Sequence, residues 1–148
     1  INSVTCIGTV AAPDPPGYCG NGEIVVDIKL ETDDHAVETS LALTRSDGSA
    51  VISSSNGLKN NRAYVSWHCV PVNDCYIFTI NDLKGDGICC GYGQGNFEVN
   101  VDGQRVGGGG EFGFQYSVSF GQCSVEVILS LRTDGYPEDT KVTLTDQS

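Results

Sequence analysis

The stretch Glu111–Phe120, EFGFQYSVSF, carries an aromatic or apolar side chain at every second position. These alternate residues are Phe112, Phe114, Tyr116, Val118 and Phe120, and the residues between them are glycine, polar or charged. Successive side chains of a β-strand point to opposite faces, so this period of two predicts a strand with one buried face and one face in water.

The same period recurs along the chain. It is clearest in Ile24–Leu30, Phe97–Val101 and Val125–Leu131, and no stretch shows the 3.6-residue period of an amphipathic helix. Shorter β-prone runs are Val4–Val10, Leu41–Thr44, Ala50–Ser53, Ala63–Val70, Tyr76–Ile80 and Val142–Thr145.

Turn-forming sequences separate these runs. They are Asp47-Gly48, Asn56-Gly57, Asp102-Gly103 and the glycine run Gly107–Gly110. Short strands at this spacing, each with one apolar face, predict an all-β fold. We expect an antiparallel two-sheet sandwich of jelly-roll or immunoglobulin-like kind.

Composition narrows the possible partners. The 148 residues include 8 basic and 19 acidic side chains, which gives a formal charge of −11. Nucleic acids and anionic membranes attract clusters of Lys and Arg, so this balance argues against both as partners. The apolar runs are too short to cross a bilayer, so membrane insertion is not expected.

The seven cysteines predict disulfides and therefore an extracellular location, because disulfides persist in oxidising compartments. A zinc site built on the cysteines is disfavoured, since the chain has no Cys-x-x-Cys pair. We expect Cys123 to be free or bonded to another molecule, and the adjacent Cys89 and Cys90 to bond distant strands rather than each other. The predicted bonded set, with its connectivity open, is Cys6, Cys19, Cys69, Cys75, Cys89 and Cys90.

The end of the chain repeats an earlier segment. A shift of 101 residues aligns 24–47 with 125–148 without a gap, and the pattern T-D-x-x-x-x-[ED]-T occurs at Thr32–Thr39 and again at Thr133–Thr140. We therefore predict a strand and Pro-rich lead-in at 1–18, one complete repeat at 19–123, and the first strands of a second repeat at 124–148.

The partial second repeat presents an apolar face that needs a partner. Three interpretations stay open: the segment completes its own sheet, it adds a strand to a neighbouring copy, or the sequence is part of a longer tandem protein. The second would join copies head to tail into a homo-oligomer or filament. The residues concerned are Val125, Val127, Leu129 and Leu131.

The segment Ile80–Asn96, INDLKGDGICCGYGQGN, combines five glycines with Asp82 and Asp86. Glycines let backbone carbonyls converge and carboxylates are ligands for Ca²⁺, so the segment suggests a calcium loop. The loop Thr32–Thr39 can bring Asp33, Asp34 and Glu38 to the same site. The alternative is a tight turn in which the aspartates accept backbone N–H bonds.

These motifs resemble a repeated Cys-rich domain of secreted and cell-surface proteins from algae and other aquatic microbes. The resemblance rests on TDDHAVET (Thr32–Thr39), on Cys75–Val99 and on GGEFG before a Phe-ended strand; GDGICCxYGxG (Gly85–Gly95) is its most specific part. It spans about Cys19–Cys123. The resemblance implies an extracellular accessory or structural module, often in tandem, without a catalytic role.

No catalytic constellation is visible in the sequence. His35 and His68 are the only histidines, and neither lies in a nucleophile motif, so a non-enzymatic function is expected. The first candidate is a structural or adhesive module, stabilised by Ca²⁺, that assembles in arrays or filaments.

The alternative is a carbohydrate- or surface-binding module that contacts extracellular polysaccharide. Its candidate rings are Tyr92, Trp67 and Tyr136, although a Trp on an apolar strand is also typical of a core residue.

Overall fold

The structure is a computed structural model that describes residues 19–54, 57–124 and 129–143. These residues contain eight β-strands and two short 3₁₀ turns, Ala36–Glu38 and Pro137–Asp139. None of the described helices is long and apolar enough to cross a membrane. The strands are β1 (Glu23–Glu31), β2 (Thr39–Arg45), β3 (Ala50–Ser54), β4 (Ala63–Pro71), β5 (Cys75–Asp82), β6 (Asn96–Val101), β7 (Gln104–Gly109) and β8 (Gln115–Gly121).

The strands form two four-stranded antiparallel sheets, which confirms the predicted all-β sandwich. The first sheet has the order β4-β1-β6-β7 and the second has the order β3-β2-β5-β8. Every second residue of the central strands enters the core between them, as the alternation predicts. Fully buried core side chains include Val26, Leu43, Tyr76, Phe78, Ile80, Phe97 and Val99.

The sandwich consists of two halves of four consecutive strands, and in each half an inner strand pair lies between the two strands of an outer pair along the chain. In the first half, residues 23–71, β2 pairs with β3 while β1 pairs with β4 around them. The second half, residues 75–121, repeats this with β6–β7 inside β5–β8. The two sheets are therefore related by a shift of four strands. Replacing β4, β1, β6 and β7 by β8, β5, β2 and β3 gives the order of the second sheet, read in reverse.

This topology excludes one of the two predicted kinds of sandwich. In an immunoglobulin domain the first two strands are neighbours in one sheet. Here β1 and β2 lie in opposite sheets, so the strand order is not that of an immunoglobulin domain.

The two ends of the sandwich differ. At one end, the turn end, the connections 46–49, 72–74 and 102–103 are short. At the opposite end, which we call the loop end, lie the described residues of the four longer connections: 32–38, 57–62, 83–95 and 110–114. Binding groups are commonly carried on such loops above a rigid scaffold.

Two disulfides lie at the turn end, and each closes one half of the sandwich. Cys19 bonds Cys69, and Cys75 bonds Cys123. The prediction that Cys123 is free or intermolecular is therefore wrong. Its partner is set by the register of β5 and β8, which places Cys75 opposite Gly121 and so beside the residues that follow β8.

The third disulfide joins the neighbours Cys89 and Cys90 in the loop 83–95. The prediction that these two cysteines bond distant strands is wrong, because the four cysteines of the other two bonds lie at the turn end. Cys6 lies outside the described residues.

Two details of the second half also differ from the prediction. Gly107–Gly109 form the end of β7 rather than a turn. A Cβ atom on Gly107 would lie 3.0 Å from the Tyr116 hydroxyl, so glycine makes room for side chains of β8. Phe112 and Phe114 precede β8, and the ring of Phe114 is exposed.

The described part of the C-terminal segment, residues 129–143, contains no strand, so the predicted strand is wrong at Leu129 and Leu131, which are exposed. Val142 and Thr143 are likewise outside any strand. The alternating pattern indicates only that a segment is able to form a strand with one apolar face. A strand without a neighbour leaves its backbone N–H and C=O groups unpaired, so the pattern alone does not produce one. Val125, Val127, Thr145 and the lead-in at 1–18 lie outside the described residues.

Removing either turn-end disulfide is expected to destabilise the sandwich. Each bond spans about 50 residues (sequence separations of 50 and 48), and a loop of this size predicts a loss of about 4 kcal/mol. Urea unfolding of Cys19→Ser/Cys69→Ser and of Cys75→Ser/Cys123→Ser measures it. A second variant as stable as wild type would contradict the assignment of Cys123.

Candidate functional site

Asp82, the last residue of β5, organises the longest connection at the loop end. Its carboxylate is buried, and one oxygen, Oδ2, accepts hydrogen bonds from the backbone N–H groups of Gly85 (2.6 Å), Asp86 (2.9 Å) and Gly87 (3.2 Å). Gly85 and Gly87 have φ angles of +82° and +73°, which favour glycine. The tight-turn interpretation therefore holds for Asp82.

The rest of this connection packs against the loop end of the sandwich. Ile88 is fully buried, and its N–H donates to the carbonyl of Gly110 at 2.9 Å. The backbones of Gly95 and Gly110 are in close contact, since a Cβ atom on Gly110 would lie 2.5 Å from the carbonyl oxygen of Gly95. The loop 83–95 is thus held by contacts to the loop 110–114.

Asp33 and Asp34 connect the remaining loops to one another. Asp33 Oδ1 accepts from the His35 N–H at 2.8 Å, and its carbonyl accepts from the Asn61 N–H at 2.9 Å. The Asp34 N–H donates to the carbonyl of Tyr92 at 2.9 Å, and Asp34 Oδ1 accepts from Asn61 Nδ2 at 2.6 Å. These aspartates join the loops 32–38, 57–62 and 83–95.

Three carboxylates converge at the loop end. One oxygen each from Glu38, Asp82 and Asp86 lies within 4.8 Å of the other two. The Leu83 N–H donates to the Glu38 carbonyl at 3.0 Å, which holds the two loops side by side. None of the four ion pairs found among the described residues involves this group, which we call the carboxylate cluster.

The predicted set of metal ligands is therefore divided. The structure brings together Glu38, Asp82 and Asp86, whereas Asp33 and Asp34 form a separate hydrogen-bonded junction. Like charges held this close repel one another, and a bound cation would relieve that repulsion. The arrangement can therefore hold a hard cation such as Ca²⁺.

Exposed apolar side chains share the loop end with the carboxylate cluster. Within residues 19–54 and 57–124, the exposed large apolar residues are Val37 (81%), Leu83 (75%), Phe114 (67%) and Tyr92 (54%), and all four lie at the loop end. Val37 and Leu83 adjoin cluster residues in sequence, and the Phe114 carbonyl accepts from the Asp82 N–H at 3.0 Å. The rest of the described sandwich has no comparable surface.

The aromatic candidates occupy three separate places. The exposed ring of Tyr92 meets the ring of His35 edge-on at 4.6 Å, whereas Tyr136 is exposed in the C-terminal segment. Trp67 lies in the middle of β4 opposite Asp27, on the outer face of the first sheet. It is half-buried there, so the interpretation of Trp67 as a core residue is wrong, and the structure brings none of these rings together.

The outer face around Trp67 holds two unpaired polar atoms. Trp67 Nε1 and Asp27 Oδ1 are buried without a hydrogen-bond partner, while Asp27 Oδ2 lies 3.6 Å from Lys29 Nζ and 3.3 Å from Asn100 Nδ2. The next residue, His68, points the other way, toward the core. Burial lowers the pKa of its imidazole, so His68 favours the neutral form.

Sequence reasoning did not identify Val37 or Leu83, and it assigned Phe114 to a buried face. A signal exists for Val37, the single large apolar residue of the polar loop 32–38. No such signal exists for Leu83, because Ile88 lies in the same loop and is fully buried.

The fold and site together define a disulfide-stapled, two-sheet antiparallel β-sandwich whose loop end carries a carboxylate cluster and exposed apolar side chains. No protein-family model matches the chain, and searches of the curated proteins and of the solved structures found no match. The resemblance to the Cys-rich domain of algal and microbial proteins stays a prediction.

Replacing Asp82 by Ala is expected to lower the free energy of unfolding by about 3 kcal/mol, because three backbone N–H groups lose their acceptor. Asp86→Ala is the matched control: its side chain is exposed, so the change should stay below about 0.5 kcal/mol. Chemical denaturation in chelator measures both. Equal effects of the two substitutions would contradict this role of Asp82.

Proposed function

We propose that this chain is a non-enzymatic extracellular module that binds carbohydrate through its loop end, with Ca²⁺ held by Glu38, Asp82 and Asp86. One observation carries the proposal. The exposed large apolar side chains of the described sandwich all lie at the loop end, which also carries the carboxylate cluster, whereas monomeric domains normally bury such residues or scatter them.

The chemistry of the loop end suits a sugar ligand. The faces of a pyranose ring carry C–H groups that pack against aromatic rings, and Phe114 and Tyr92 offer two exposed rings. Sugar hydroxyl groups donate to carboxylate oxygens and also coordinate Ca²⁺, so the carboxylate cluster supplies the polar half of such a site. Binding sites commonly combine apolar walls with a few converging polar groups.

Calcium has a defined place in this proposal. Asp82 commits Oδ2 to the backbone of its loop, which leaves its other oxygen, together with Glu38 and Asp86, for a cation. A bound Ca²⁺ would tie the loop 32–38 to the loop 83–95 and so fix the exposed rings in position. The two turn-end disulfides support an extracellular location, because such bonds persist in oxidising compartments.

A calcium-dependent thermal melt tests the cation site. Ca²⁺ is expected to raise the melting temperature of the wild type, because a ligand of the folded state stabilises it, and Glu38→Gln/Asp86→Asn should remove this shift. Asp34→Asn is the matched control, since it removes a nearby charge outside the cluster and should keep the shift. An unchanged wild-type melting temperature over millimolar Ca²⁺ would reject the site.

Retention on immobilised polysaccharides in Ca²⁺ tests the ligand. Phe114→Ala and Tyr92→Ala should each weaken binding about tenfold, the effect of losing one stacked ring. Tyr136→Ala, which removes an equally exposed ring outside the sandwich, should leave binding unchanged. Uniform absence of binding across neutral and acidic polysaccharides, or equal losses in all three variants, would overturn the carbohydrate proposal.

Assembly of copies is a second candidate function, and a separate observation favours it. Within residues 129–143, the described part of the C-terminal segment, large apolar side chains are exposed without a neighbouring strand. This surface is distinct from the loop end, so the two functions are compatible.

A further inference from the structure

The C-terminal segment repeats the local structure of the connection between β1 and β2. The 3₁₀ turn Pro137–Asp139 lies 101 residues after the turn Ala36–Glu38. Asp134 Oδ1 accepts from the Tyr136 N–H at 2.9 Å, as Asp33 Oδ1 accepts from the His35 N–H at 2.8 Å. The same offset therefore holds for the sequence and for the structure it forms.

The hydrogen bond within each 3₁₀ turn follows the same offset. The Asp139 N–H donates to the carbonyl of Tyr136 at 3.2 Å, as the Glu38 N–H donates to that of His35 at 2.9 Å. The residue after each turn is a threonine in extended conformation, with φ and ψ of −92° and 133° at Thr39 and of −97° and 123° at Thr140. The segment thus forms this turn without the packing that surrounds the first one.

Burial is the point at which the two segments differ. Ile28, Leu30 and Leu41 are 3%, 2% and 3% exposed in the core. The residues 101 positions later, Leu129, Leu131 and Val142, are 64%, 55% and 47% exposed. The segment therefore carries the side chains that face the core in a β1–β2 unit, and no strand among the described residues covers them.

We propose that residues 129–143 belong to a strand-donating segment that binds a second copy of this chain along the free edges of its β4 and β3. In the sandwich, β1 pairs with β4 in the first sheet, while β2 pairs with β3 in the second. Among the described strands, β4 and β3 are each paired on one side only.

The geometry of these edges fits the donated unit. A β1–β2 unit contributes one strand to each sheet and crosses between them at the loop end, through the turn at 36–38 or 137–139. The edges of β4 and β3 belong to opposite sheets and are joined by the connection between those strands, so one such unit can extend both sheets. Main-chain pairing at an exposed edge is a common mode of recognition.

The contact would be heterologous, because one copy supplies the segment and the other supplies the edges. Each copy carries one segment and one pair of edges, so the contact can repeat and produce chains of copies. The Cys75–Cys123 disulfide fixes the origin of the segment at the turn end, close to the sandwich. The proposal does not depend on the loop end or on its ligand.

Sedimentation velocity of the full chain over a range of concentrations tests the proposal. Wild type is expected to form a concentration-dependent series of oligomers, and Leu129→Ser/Leu131→Ser should weaken this association at least about tenfold. Tyr136→Ser is the matched control, because Tyr136 corresponds to the loop residue His35 rather than to a core position. These residues are exposed, so thermal melts of the variants should match wild type.

Mixing distinguishes strand donation from any symmetric contact. The Leu129→Ser/Leu131→Ser protein keeps its β4 and β3 edges but lacks a working segment, so adding it to wild type should shorten the oligomers by capping one end. Wild type that stays monomeric at all concentrations, or a double variant that associates as wild type does, would overturn the proposal. Mixing without shortening would overturn its donor–acceptor geometry.

Discussion

The sandwich depends on two strand pairings that join its halves, β1 with β6 and β2 with β5. Each half alone is a nested pair of hairpins that contributes two neighbouring strands to each sheet. Each of the two pairings completes one sheet and places the apolar faces of both halves against a common core. Because burial of apolar area is the main source of stability, neither half holds a core without the other.

The registers of these pairings also position the candidate site. Thr39 lies opposite Asp82, and Glu31 lies opposite Asn96, so the connections 32–38 and 83–95 begin and end side by side. This placement brings Glu38 to Asp82 and Asp86. The loop end is therefore a consequence of strand register, and its rigidity comes from glycine contacts and from the Asp82 carboxylate.

The sequence was sufficient for the fold class, since the period of two located most of the strands. It was insufficient where the outcome depended on a distant partner. Cys123 is paired because β8 lies beside β5, and Gly107–Gly109 form a strand because β6 lies beside them. The period of two at Leu129 and Leu131 reports a capacity to pair and does not supply the neighbour.

The candidate site was partly predictable for the same reason. Asp82 and Asp86 stand out in a glycine-rich loop, but the choice of Glu38 over Asp33 and Asp34 follows from how two loops pack. Trp67 shows the limit of composition as a guide: its strand has an inner and an outer face, and only the register with Asp27 and its exclusion from the core cluster place the indole outside.

The agreement between disulfide pairing and topology has a consequence for biosynthesis. Each long-range bond joins cysteines of the same half, 50 and 48 residues apart, and among the described residues no such bond connects the two halves. Chains are made from the N-terminus and tend to fold in that order. Cys19 and Cys69 are therefore both synthesised well before Cys123, which is 54 residues further along the chain. The first long-range bond can form without waiting for the residue that closes the second one.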